Sequence, residues 1–115
     1  MSIIETLGAQ GEIRCFRVDR LPDQDKLVPV EDRVIGHSET GHHHVLEAER
    51  VKVWESTDHP EGMRVLYALL ESPGDLIHHR DEHTHQSHHF EPGIYMFRTD
   101  REFDPFSRSA RMSAD

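Results

Sequence analysis

Polar and apolar positions alternate over much of the chain, and the alternation has the period of a β-strand. In residues 12–18, Ile13 and Cys15 point one way and Arg14 and Phe16 the other, with Val18 continuing the first set. That is the pattern of a half-buried strand. Residues 33–37 and 42–47 predict two short strands, and 50–56 alternates Val51 and Val53 against Lys52 and Trp54. Residues 63–71 form the most apolar predicted strand, 76–79 a short one and 93–99 the last. The intervening segments 38–41 (S-E-T-G), 57–62 (T-D-H-P-E-G) and 72–75 (S-P-G-D) carry turn chemistry. Residues 21–29, with Pro22, Asp23, Asp25 and Pro29, read as a loop. Residues 1–10 read as a loose arm, the only segment with scope for a helix.

Turn signals recur every ~8–12 residues, and no helical period persists over ten. The expectation is an all-β fold, either a small antiparallel β-sandwich or a cupin-like barrel, with a flexible C-terminal tail. The domain would span 1–103, including the arm 1–10, and the polar tail 104–115.

Composition sharpens this. The 115 residues fit one domain, and a hydrophobic share of 35% leaves a thin core. A bound metal, or a homo-oligomer or larger protein assembly, would supplement it. Thirteen basic against 22 acidic residues give a formal charge of −9. That excludes binding nucleic acid through its phosphates, and it excludes docking on an anionic membrane. The longest apolar run, 65–70, is too short to span a bilayer, and 1–10 has no basic region of a signal peptide. The expected location is cytoplasmic. The lone cysteine, Cys15, sits in an apolar alternation and reads as core, so neither an internal disulfide nor a cysteine-rich zinc motif is open to the chain.

The 11 histidines are the outlying feature. Most fall in G-H-S-E-T-G-H-H-H-V-L-E (36–47) and H-H-R-D-E-H-T-H-Q-S-H-H-F-E-P-G (78–93). Residues i and i+2 of a strand share a face, so His42 with His44, and His83 with His85, can each aim two imidazoles one way. His37 can fold back across the Gly41 turn. Glu47, Glu82 or Glu91 can add a carboxylate. The expected ligands are His42, His44 and His85, with His83 as the fourth and His37 or Glu47 next. Imidazole donors suit a transition metal, zinc first, with iron, copper or nickel as alternatives. His59 lies in a turn and reads as solvent-facing. His43, His78, His79, His88 and His89 read as surface or interface residues. No catalytic residue and no organic cofactor is assigned.

These residues also carry a resemblance. G-H-x-H-x-L at 41–46, His85 with P-G-x-Y at 92–95, and R-E-F-x-P at 101–105 resemble a family of small uncharacterised bacterial and phage proteins. For a phage-encoded chain the location would be the virion. A looser similarity is to cupins, small β-barrels that hold a metal with an H-x-H, a downstream Glu and a His on a later strand. It implies His42 and His44, Glu47 or Glu49, and His85. Unlike in cupins, His85 precedes its Pro92-Gly93 turn.

The function expected is a non-catalytic, His-ligated metal-binding β domain acting as a structural or assembly component. A phage capsid decoration or cement protein is its concrete version. One alternative is a small cupin-like metalloenzyme with Glu47 as fourth ligand or base. Another is a metal-free, pH-responsive interaction module. Few aromatic residues beyond Phe90 and Tyr95 lie near the histidines to line a substrate pocket, so the sequence leans away from an enzyme.

Overall fold

The computed structural model describes residues 1–10, 13–37, 43–79 and 85–100. They form ten strands: β1 (Ile3–Gln10), β2 (Ile13–Val18), β3 (Leu27–Val30), β4 (Val34–His37), β5 (His43–Ala48), β6 (Val51–Ser56), β7 (Met63–Leu70), β8 (Gly74–His79), β9 (His85–Phe90) and β10 (Gly93–Asp100). Among the described residues the only helical element is a 3-10 turn at Gln24–Lys26. The strands build a six-stranded sheet in the order β1-β2-β10-β7-β6-β3 and a four-stranded sheet in the order β4-β5-β8-β9. Every pairing is antiparallel. The fold is a two-sheet β-sandwich.

The chain passes between the sheets at four points. All four are very short: residues 31–33 between β3 and β4, 49–50 between β5 and β6, 71–73 between β7 and β8, and 91–92 between β9 and β10. Strands that turn a corner in this way join two sheets along a closed edge. The corner is pinned by hydrogen bonds. The Glu71 N–H donates to the Arg50 carbonyl at 3.0 Å, and the Arg50 N–H donates to Ser72 Oγ at 2.9 Å. The Tyr95 hydroxyl donates to the Glu91 carbonyl at 2.6 Å. Gly74 sits in this corner, where a Cβ would fall 2.7 Å from both the Ala48 Cβ and the Glu47 carbonyl oxygen, so no side chain fits.

Between the sheets lies the main core. Ile13, Cys15, Leu66, Leu70, Tyr95 and Phe97 of the larger sheet meet Ile35, Leu46, Leu76 and Phe90 of the smaller. A second cluster, Phe16, Val18, Val65, Tyr67 and Met96, covers the outer face of the six-stranded sheet with Leu21 and Leu27 packed against it. The two clusters explain why 65–70 is apolar without interruption: successive β7 residues feed opposite faces, and both faces are buried. They also correct the pattern assigned to β2. Val18 joins Phe16 in the second cluster, on the face opposite Ile13 and Cys15.

Four segments differ from expectation, the first being β9 (His85–Phe90), where no strand was predicted. The supposed arm 1–10 is mostly strand β1, whose register against β2 shifts between Ile3 and Glu5 and between Thr6 and Gly8. Those bulges break the two-residue period that would have revealed it. The supposed loop 21–29 ends in β3, with Pro29 opposite Trp54. Proline is tolerated there because β3 is an edge strand. The last predicted turn, 72–75, ends early, and β8 begins at Gly74. The tail 104–115 lies outside the described residues.

Candidate functional site: histidine rows on the four-stranded sheet

The site is built by strand register. His37 on β4 pairs with His43 on β5, His43 with His79 on β8, and His79 with His85 on β9. Four histidines therefore occupy one row across all four strands. With strands ~4.8 Å apart, the row spans ~14 Å. The adjacent row reads Gly36, His44, His78, Gln86.

Successive rows of a pleated sheet face opposite sides. Leu46 and Leu76, two residues from His44 and His78, belong to the core, so the second row is on the inner face. His44 accordingly has 0% exposure. The four-histidine row is on the outer face. Residues 38–42 and 80–84 lie outside the described residues.

The residues proposed from sequence are thus distributed as follows. His37 and His85 share the outer row. His44 is in the inner row, and His85 belongs by register to the neighbouring row. Glu47 is exposed on the outer face, four residues along β5 from His43. His42 and His83 lie outside the described residues. Sequence reasoning passed over His43 and His79, which hold the two central positions of the row. A signal for them exists. Both hairpins are flanked by histidines at equal spacing, His37 and His43 in one and His79 and His85 in the other. The side chains of His37, His43, His79 and His85 are not among those described, and among the described residues no group of three or more His, Cys, Asp or Glu is placed to hold an ion.

The other end of the outer face is acidic. Glu47 pairs in register with Asp75, and Asp75 with His89. His89 Nδ1 lies 2.9 Å from Asp75 Oδ1, and its Nε2 lies 3.2 Å from Glu91 Oε1. The hydrogen bond to Asp75 foremost, then that to Glu91, raises the His89 pKa above its ordinary 6.5. A raised value means the pairing stabilises the fold fully below pH ~6.5 and is lost as pH rises through the folded-state value. All three side chains are largely exposed, so the effect on stability is small. An NMR titration should show His89 titrating above the ordinary imidazole value of 6.5, and Asp75→Asn should bring it down; a His89 that the substitution leaves unmoved would refute the pairing.

The six-stranded sheet carries solvent-open hollows, of which two have no histidine in their lining. The larger, about 470 Å³, is bordered by Arg20, Leu21, Lys26, Asp58 and Tyr67, with Lys26 Nζ 3.6 Å from Asp58 Oδ2. Neither adjoins the histidine row.

Fold and site together define an antiparallel β-sandwich with a histidine-rich end on its smaller sheet. The chain belongs to a family described as a domain of unknown function (DUF8820), whose model matches residues 9–100. That span contains β2 to β10 and both histidine clusters. No curated protein and no solved structure matches the chain. No helix among the described residues is long and apolar enough to cross a membrane.

Proposed function

We propose that this domain binds a transition-metal ion at the outer histidine row, and that it serves as a non-catalytic, metal-stabilised structural or assembly component. The observation that supports the reading is the register that brings His37, His43, His79 and His85 into line on four neighbouring strands. Directly opposite residues of antiparallel strands have Cα atoms only ~4.5–5.5 Å apart, so two adjacent imidazoles reach one ion at bond lengths of ~2.0 Å. The ends of the row are ~14 Å apart and cannot share it. The ion therefore belongs to His43 and His79, with His37 or His85 as a third ligand.

Such an ion ties the β4–β5 hairpin to the β8–β9 hairpin at the end of the sandwich away from the corner. Its binding energy becomes folding energy for a chain with few apolar residues. An all-imidazole donor set favours zinc, and iron, copper and nickel accept the same donors.

The test is elemental analysis of untagged protein prepared without nickel resin or chelator, followed by zinc titration. Close to one equivalent of metal per chain is expected. No metal and no uptake would overturn the proposal. Stability that changed steeply near pH ~6 and ignored chelators would then make the histidines a metal-free, pH-responsive surface.

A further inference from the structure

We infer that the outer face of the four-stranded sheet is a two-fold interface between two copies of this chain, each laying its histidine row against the other's carboxylate row. The inference concerns the same face as the proposed metal site but does not rest on the metal.

Three bands cross this face. At one end is the row His37, His43, His79, His85. In the middle, Val45 and Ile77 stand opposite each other, both only half-buried. At the far end are Glu47 and Asp75, paired in register, with Glu91 just past the end of β9. One imidazole, His89, stands among these three carboxylates, and the band stays acidic. The solvent face of an antiparallel sheet ordinarily carries polar residues, whereas this one has a half-buried aliphatic pair at its centre.

Charge chooses the partner and its orientation. Four residues separate the histidine band from the acidic band along β5, a distance of ~13 Å. A two-fold axis lying along the Val45–Ile77 row turns the face over and reverses strand direction. Each histidine band then meets the partner's acidic band, and the aliphatic pairs meet each other. A contact of this kind is self-complementary and closes at two copies. The other in-plane axis, along the strands, would stack acid on acid, which like-charge repulsion opposes. In a chain with formal charge −9, the histidine band offers what carboxylates need: imidazole N–H donors that do not add to the repulsion.

Sedimentation velocity on the full chain, over a wide concentration range and in chelator, tests this. A reversible monomer–dimer equilibrium is expected. Ile77→Arg should weaken dimerisation at least tenfold while leaving the circular dichroism spectrum unchanged. Glu47→Lys, at an exposed position, should act in the same direction and guards against a folding defect in the first variant. Val28→Arg, on exposed β3, should have no effect. A wild-type chain monomeric throughout would overturn the inference, as would dimers that persist in both Ile77→Arg and Glu47→Lys. So would dimers that form only after removal of 101–115, which would make that segment the occupant of the face. A dimer in chelator, from a chain that takes up no zinc on titration, would leave the interface standing and the metal proposal fallen. A metal-loaded monomer would do the reverse.

Discussion

Replacing His43 and His79 together by alanine is expected to abolish zinc binding and to lower the melting temperature in zinc by roughly 15 °C. The size follows from linkage. A ligand at about a thousand times its dissociation constant adds ~4 kcal/mol to the folded state. For a domain of this length each kcal/mol moves the midpoint by about 4 °C. Calorimetry with zinc and with chelator reads both halves of the claim. Chelator should bring the wild type down to the double variant's midpoint, and the double variant should ignore chelator. A wild-type midpoint indifferent to chelator would sink the idea.

Two controls separate ligation from packing. His44 is fully buried on the inner face beside the core, so His44→Ala should lower the midpoint equally with and without zinc. His59 lies in the β6–β7 turn, where its Nδ1 approaches the Pro60 carbonyl at 3.1 Å. His59→Ala should change neither stability nor metal content.

The sequence reveals strands where apolar alternation or an apolar run is bounded by turn chemistry, as in β6, β7 and β10. It hides strands where another force sets the local pattern. Bulges disturb β1, a proline stands in β3, and β9 reads H-Q-S-H-H-F, which carries no apolar alternation. The site shows the same limit. The rule that i and i+2 share a face is local, and it paired His42 with His44. Choosing partners across strands needs the register, which the inner face fixes. Leu46 stands opposite Leu76, both buried, and a slip of one residue would turn β5's apolar set outward. With that pair locked, His43 must stand opposite His79. The partnership is thus a consequence of the core, visible only once the two sheets are assembled.

Phe97→Ala should be the most damaging single substitution in the core, costing about 4 kcal/mol in urea denaturation. Phe97 has 0% exposure on β10, a central strand between β2 and β7. Its ring packs edge-to-face on Phe90 at 5.9 Å between centroids, and Phe90 packs on Tyr95 at 4.9 Å. Phe90 belongs to the smaller sheet and the other two to the larger, so the trio joins the layers. Truncating a buried Phe costs ~3–5 kcal/mol, and losing an edge-to-face partner adds to the transfer and cavity terms. Against a total of ~5–15 kcal/mol for an ordinary domain, that is a large fraction. Phe16→Ala should cost less. Phe16 lies in the smaller outer cluster, 8% exposed, and the Arg98 guanidinium sits 5.0 Å from its ring centroid. A cost below ~1 kcal/mol for Phe97→Ala would refute the packing described between the sheets. The same variant bears on the metal. Phe90 pairs with Gly74 at the corner, while His85 pairs with His79 five residues away along β9, or ~17 Å. Sites that far apart act additively. Zinc should therefore raise the midpoint of Phe97→Ala by nearly the increment it gives the wild type, since the ion ties the hairpin end of the sandwich and the aromatic trio ties the corner.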